Sequence, residues 1–208
     1  MPTLWGRTTS SNVQKVMWLC AEMALDVERI DIGGKFGNTD TAAFRAKNPN
    51  GLIPVFEDEA LVLWESNAIL RYLAVSRANQ AFYPAEPTTR GLIDQWMDWQ
   101  LGTLWPCMRP YFISLARTPE KERDHTATDA ARDKTFALWS ILEDSLVSSD
   151  WIVGRAPSLA DIALGPFLHR WFTLNPAALH QQPRLQALYH RFSERPTYQQ
   201  HVIAQPFR

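Results

Sequence analysis

The segment Asn48-Pro49-Asn50-Gly51-Leu52-Ile53-Pro54-Val55 puts a proline where an apolar run (Leu52, Ile53, Val55, Phe56) reads as a strand. Proline cannot donate to a sheet ladder, which confines such a residue to an edge, to a strand's first position or to a bulge. An X-Pro bond is also the one place where a cis peptide is at all common, usually in a tight turn. Eleven residues beyond Pro54 stands Glu65-Ser66, closing a second apolar run, Leu61-Val62-Leu63-Trp64, and opening a helical pattern of Ala68, Ile69, Tyr72 and Leu73. A carboxylate and a hydroxyl at a strand-to-helix junction lie beside unpaired backbone N–H groups, a combination that can hold a small polar ligand.

Around this segment the first third of the chain mixes strand and helix signals. Thr3-Leu4-Trp5 reads as a short strand, and apolar residues at 13, 16, 17, 20, 21 and 24 read as one face of a helix. Val27 to Ile32 alternates as a strand, Gly33 to Asn38 is a loop, and Ala42 to Lys47 is a short helix ended by the Asn-Pro-Asn-Gly turn. Strands Ile53–Phe56 and Leu61–Trp64 follow, then a helix from Ser66 to Ser76. Short turns force antiparallel pairs and helical crossovers give parallel ones, so the expected product is a small mixed sheet with helices on its faces.

Ala78 to Pro87 reads as a linker, after which strand signals vanish. Helices are expected from Leu92, around Ala137 to Leu146, from Ser158 to Trp171 and around Leu185 to Phe192. Ser158-x-x-Asp161 has the form of a capping box, and Pro166 inside that helix is expected to kink it. The organisation is therefore an α/β domain over residues 1–77, a linker over 78–87 and an all-helical domain over 88–208.

Composition excludes several classes. With 208 residues, 46% hydrophobic, 21% charged and a net charge of −1, the chain is an ordinary globular one, with no electrostatic reason to bind nucleic acid or an anionic membrane. No apolar run approaches the ~20 residues of a membrane span, and no signal peptide is visible at the N-terminus. Cys20 and Cys107 are far apart and form no CxxC, and the five histidines have no ligand spacing, so no metal site is expected and the compartment is read as the reducing cytoplasm.

Thr8-Thr9-Ser10-Ser11-Asn12 lies between the first strand and the first helix, and each of its side chains could serve simply as an N-cap. The same residues could stabilise a sulfur anion, because a helix N-terminus supplies orphan donors and a positive dipole end. A thiol has a pKa of about 8.5, lowered in such surroundings. No cysteine of the chain is in place, so the thiol would belong to a ligand. Glu65-Ser66 also reads simply as a strand end and a helix start with Ser66 as the cap; in the functional reading Glu65 would bind an ammonium and Ser66 a carboxylate, while Ile53-Pro54 would offer strand-edge backbone groups to a short peptide. Together these point to a small thiol peptide.

The chain resembles the glutathione transferase family over nearly its whole length. The resemblance is carried by Ser10-x-Asn12 after the first strand, by Asn48 through Val55, by Trp64-Glu65-Ser66-Asn67-Ala68-Ile69-Leu70-Arg71-Tyr72-Leu73, and by Ser158-Leu159-Ala160-Asp161-Ile162-Ala163. It implies a thioredoxin-like N-terminal domain, an all-helical C-terminal domain, a homodimer active in detoxification, and glutathione as cosubstrate. The first-helix motif looks like that of the serine-type bacterial, theta, phi and nu classes. It implies that Ser10 faces the glutathione sulfur and Asn12 contributes, with Thr9 and Ser11 as rivals. The tyrosine of other classes is absent, since position 5 is Trp. The resemblance makes Pro54 a cis proline, gives Ile53 the backbone bonds to the cysteinyl part, and gives Glu65 and Ser66 the γ-glutamyl group. Lys35 and Phe36 are candidates for the glycyl end. Leu52 departs from the family, where many relatives carry Gln or Lys.

A small hydrophobic or electrophilic second substrate is expected between the domains, near Trp105, Met108, Arg109, Phe112 and Trp171, each of which serves equally well as ordinary core or helix surface. Two alternatives stand beside conjugation: a glutathione-dependent thiol-disulfide oxidoreductase, and a non-catalytic binding or regulatory module on the same fold.

Overall fold

The computed structural model describes residues 1–77 and 80–206, so the first two residues of the expected linker, Ala78 and Asn79, lie outside the described residues. The chain divides into two compact units. The first contains residues 1–77, Gln80 and the terminal segment 195–206.

In the first unit β1 (Thr3–Trp5), α1 (Ser11–Glu22) and β2 (Glu28–Ile30) form a β-α-β crossover. Then come α2 (Ala42–Lys47), the hairpin β3 (Val55–Asp58) and β4 (Leu61–Trp64), and α3 (Ser66–Ser76). The sheet order is β2-β1-β3-β4, with β1 parallel to β2 and antiparallel to β3, and β3 antiparallel to β4. This is a thioredoxin-like mixed sheet, in which the helical crossover makes β1 and β2 parallel and the two-residue hairpin loop makes β3 and β4 antiparallel. Leu4, Val13, Val16, Leu19, Phe56 and Ile69 are fully buried in it.

Two boundaries differ from the pattern in the sequence. The third strand begins at Val55 rather than Ile53, because Pro54 has no N–H to give the ladder. β2 covers only Glu28–Ile30 of the expected Val27 to Ile32.

The segment 195–206 holds α10 (Pro196–Tyr198) and a π-helical turn, Gln199–Ile203, and it packs on α1. Tyr198 is fully buried, its ring edge-on to Trp18 with centroids 4.6 Å apart. The Glu22 carboxylate accepts from the Arg195 guanidinium, the Thr197 hydroxyl and, at 2.9 Å, the Trp18 indole. Residues 195–206, which lie within the expected helical domain over 88–208, belong to the first unit.

The second unit contains α4 (Pro87–Trp99), which runs through the π-helical segment Gln100–Leu104 into α5 (Trp105–Arg117), followed by α6 (His125–Ser145), α7 (Leu159–Leu174), α8 (Ala178–Gln181) and α9 (Pro183–Ser193). α7 is its centre, with 14 of its 16 residues buried. The helix runs unbroken through Pro166. The capping box is formed: Asp161 accepts from the Ser158 N–H at 2.8 Å and from the Ile152 N–H at 3.1 Å, while Ser158 Oγ accepts from the Ala160 N–H. Glu143 accepts from the Arg184 and Leu185 N–H groups and so caps α9. Phe82 and Tyr83, in the expected linker, are buried, and the Tyr83 hydroxyl donates to Asp94. Aromatic residues there serve as packing within this unit rather than as a spacer.

Candidate functional site

One row of strand partners organises the candidate site. Trp5 on β1 pairs with Val55 on β3, and Val55 pairs in turn with Trp64 on β4. β3 runs opposite to both neighbours, so the residues just after Trp5, just before Val55 and just after Trp64 all leave the sheet at one end. Those residues are the Gly6–Ser10 loop, Ile53-Pro54 and Glu65-Ser66. Ile30, which ends β2, pairs with Trp5 and sends the Gly33–Asn38 loop with Lys35 off the same end. Strands lie about 4.8 Å apart, so β1 to β4 spans about 10 Å, the length of an extended tripeptide at about 3.4 Å per residue.

The first contributor is the start of α1. Ser10 is its N-cap, with φ −92° and ψ 122°, and its hydroxyl makes no capping hydrogen bond. Its N–H closes the turn to the Arg7 carbonyl oxygen and its carbonyl accepts from the Gln14 N–H. Ser158 at the head of α7, in contrast, commits its hydroxyl to its own helix. Ser10 and Asn12 are half-buried, whereas Ser11 is buried at 5% exposure. Gly6 permits the chain to reach this point, since a Cβ there would lie 2.4 Å from a Val13 methyl. Thr9 is engaged locally, its hydroxyl accepting from the Arg7 guanidinium at 3.0 Å.

Trp5 turns away from this loop. Its indole N–H donates to Glu57 at 2.8 Å, and Lys47, paired with Glu57, stacks over its ring.

The second contributor is Ile53-Pro54. The peptide between them is cis. Pro54 is buried, and Ile53 packs on the cluster of Ile32, Phe44 and Val55. Leu52, immediately before, is 64% exposed and points no polar group at the site.

The third contributor is Glu65-Ser66. Glu65 is exposed and adopts φ 71°, ψ 109°, a left-handed conformation disfavoured for a residue with a Cβ. Backbone strain of this kind costs about 1–3 kcal/mol and is typically retained where a site demands it. Ser66 and Asn67 are each 3% exposed at the head of α3.

Behind them lies a residue that periodicity did not single out. Lys15, on α1, is fully buried. Its ammonium donates to Asn67 Oδ1 at 3.1 Å and to Ser66 Oγ at 3.4 Å. Burial pushes its pKa down to about 7, and the nearby Glu65 carboxylate opposes that shift. The only sequence signal would have been a lysine among Val13, Val16 and Leu19 on a short helix with little polar face.

Lys35 is exposed on the glycine-rich loop, its ammonium 5.1 Å from the Phe36 ring. Arg7 packs against the same loop, where a Cβ on Gly34 would lie 2.9 Å from its Nε. The Cys20 thiol is buried and its pKa is pushed up to about 12 by desolvation, which makes it an inert thiol. In the second unit Met108, Phe112 and Trp171 are core residues, Trp105 packs on Phe167 with centroids 5.2 Å apart, and Arg109 is exposed. Among the described residues no group of three or more His, Cys, Asp or Glu could hold a metal, and no helix is long and apolar enough to cross a membrane.

Comparison with known proteins shows the family. The model of the glutathione S-transferase N-terminal domain matches residues 2–75, and that of the C-terminal domain matches residues 97–196. Glutathione S-transferase GstB of Escherichia coli is 38% identical over 98% of both chains. The disulfide-bond oxidoreductase YfcG of the same species is 29% identical over 92% of this chain and 90% of its own. Among solved structures, the theta class glutathione S-transferase of Xanthomonas axonopodis pv. citri with glutathione bound superposes with a TM-score of 0.92 and 42% identity, covering 100% of this chain and 99% of that one. By these matches, across both units, the chain belongs to the glutathione S-transferase family.

Proposed function

We propose that the protein is a glutathione transferase that binds glutathione along the sheet end defined by Trp5, Val55 and Trp64 and activates it as the thiolate. That row of strand partners carries the reading, because it gathers the three polar segments over about the length of one tripeptide. The Ser10 hydroxyl and the first N–H groups of α1 donate to the sulfur anion, with Asn12 as the second contributor. Ile53 gives its backbone to the cysteinyl residue beside Pro54. Glu65 takes the γ-glutamyl ammonium, Ser66 and the α3 N-terminus take its carboxylate, and Lys35 meets the glycyl end.

The chemistry follows from the charge on sulfur. The thiol proton leaves to solvent, and the thiolate, held by donors already in place, attacks an electrophilic carbon. A C–S bond forms as the leaving group departs with its electron pair. No cysteine, tyrosine or metal of the chain is needed for this step. The second substrate is small, hydrophobic and electrophilic. The protein works as a cytoplasmic homodimer in detoxification.

Likeness to a relative named as a disulfide-bond oxidoreductase supports disulfide reduction as the second reading. In that reaction the same thiolate attacks a sulfur and displaces the other sulfur as a thiolate. Glutathione titration followed by parallel assays decides. Binding with conjugation of a haloaromatic substrate supports the transferase. Binding with disulfide reduction alone supports the second reading. Absence of binding at millimolar glutathione refutes both and leaves a non-catalytic module.

A further inference from the structure

Arg7 belongs to one segment of this sheet end and rests on another. Its carbonyl oxygen accepts from the Ser10 N–H at 3.2 Å, and its Nε donates to Thr9 Oγ1 at 3.0 Å. Backbone and side chain together brace the turn that delivers Ser10 to the head of α1. The same side chain lies along the glycine-rich loop. A Cβ built on Gly34 would meet Arg7 Nε, Cδ and Cζ at 2.9, 3.0 and 3.1 Å, and one on Gly33 would meet Nη1 at 3.3 Å. So close an approach of side chain to backbone suits glycine, and both glycines also adopt positive φ, 80° and 60°.

Bonds within the loop are local. The Gly33 N–H donates to the Gly37 carbonyl oxygen at 2.8 Å, and the Asn38 side-chain amide donates to the Phe36 carbonyl oxygen at 3.1 Å. Gly34–Phe36 is a single 3-10 turn carrying Lys35. The start of the Ser10 turn is fixed separately. There the Gly6 carbonyl oxygen accepts from the Arg29 guanidinium at 2.9 Å, and Arg29 is itself paired with Asp31. Arg7 is thus a direct link between the loop that bears Lys35 and the turn that bears Ser10.

We propose that Arg7 couples occupation of the glycyl end to activation of the sulfur. A glycyl carboxylate held at Lys35 fixes the glycine-rich loop, the loop fixes the Arg7 side chain, and Arg7 fixes the turn that aims Ser10. The inference rests on the glutathione-binding reading above and adds the residue that makes its two ends interdependent. Arg7 is a positioning residue, acting through Thr9 and the Ser10 backbone. Binding energy from the remote end of the peptide is then realised as thiolate stabilisation, by donors set in place beforehand, rather than as affinity. The complete tripeptide is selected at the ionisation step. The sign is diagnostic: through space an added carboxylate raises the pKa of a nearby thiol, whereas coupling through Arg7 lowers it.

Glutathione and its analogue with methylamine in place of glycine, which lacks the glycyl carboxylate alone, provide the test. The thiol pKa of each ligand, bound and free, is read from the ultraviolet absorbance of the thiolate. Wild type should lower the pKa of glutathione by about one unit more than that of the analogue, about tenfold in ionisation constant. Arg7→Met, which keeps an apolar stem without the guanidinium, should lower both alike. Thr9→Val, which severs the brace at its other end, should do the same. Loss of a direct Thr9 contact with the sulfur would instead shift both ligands equally and preserve their difference. A difference that persists in either folded variant, equal lowering in wild type, or an analogue that fails to bind overturns the proposal and leaves the glutathione site standing. Should Arg7→Met not fold, Thr9→Val decides. Failure of the wild-type protein to bind glutathione overturns the underlying reading as well.

Discussion

The Asn48 side-chain amide donates to the Leu52 carbonyl oxygen at 2.8 Å, across the turn that delivers Ile53-Pro54 to the sheet. The same side chain accepts from the Asn50 N–H at 3.0 Å, so one buried amide ties both limbs of the turn. Gly51 completes it with φ 64°, where a Cβ would lie 2.9 Å from the Thr39 carbonyl oxygen. The Asn48–Val55 segment is thus held from inside by its first residue.

Asn48→Ala should destabilise the protein by about 1–3 kcal/mol, because two backbone groups lose a buried partner. It should also weaken glutathione binding, since Ile53 loses its anchor. Urea denaturation and calorimetric titration measure the two effects.

Much of this was legible in the residues. Turn chemistry and helix starts identified the Thr8–Asn12 stretch, Pro54, Glu65 and Ser66 as special positions, because glycine, proline and short polar residues carry local backbone information, while the choice of Ser10 within that stretch came from the family resemblance. Alternating and helical periods likewise separated the mixed sheet from the helical region. What stayed hidden was non-local. Residues 195–206 fall inside the expected helical domain with no element of their own, and nothing in their periodicity shows that Tyr198 meets Trp18 or that Arg195 meets Glu22. Lys15 was missed for a related reason: helical periodicity scores apolar positions and treats a lysine as solvated, so a buried cation is invisible until its neighbours are known.

Glu65 offers a test of strain against function. At φ 71° a glycine is more comfortable than any residue with a Cβ. Glu65→Gly should therefore be more stable than Glu65→Ala by about 1 kcal/mol, against glycine's usual disadvantage. Both variants should lose glutathione affinity strongly, because both lack the carboxylate. Paired thermal melts and glutathione titrations measure this.

The Glu22 carboxylate gives a pH dependence with a definite sign. Burial works to raise its pKa, but hydrogen bonds from Arg195, Thr197 and Trp18 outweigh burial and leave it below the ordinary 4.5. A depressed folded pKa contributes stability that is present above the unfolded value and is lost as pH falls through the folded one. Glu22→Gln should cost about 2 kcal/mol at neutral pH, since Arg195 is left without its counter-ion. The gap to wild type should hold above about pH 5 and close progressively below the unfolded value near 4.5. Urea denaturation from neutral to acid pH traces it.

Asp161 accepts from the Ser158 and Ile152 N–H groups at the buried head of α7. Asp161→Ala removes the capping box and leaves these donors unpaired, for a loss of about 3 kcal/mol. Denaturation of the variant gives the value, and its retention of glutathione affinity would separate this structural role from the site in the first unit.

The Ser10 hydroxyl, which makes no capping hydrogen bond to its own helix, is proposed to donate to the glutathione sulfur. The most direct measurement is the pKa of bound glutathione, followed through the ultraviolet absorbance of the thiolate, in wild type and Ser10→Ala. Losing one donor to the anion should raise that pKa by about 1–2 units, equivalent to about 1–3 kcal/mol, and leave the dissociation constant of glutathione nearly unchanged. An identical thiolate titration in the two proteins would contradict the account and remove Ser10 from the sulfur.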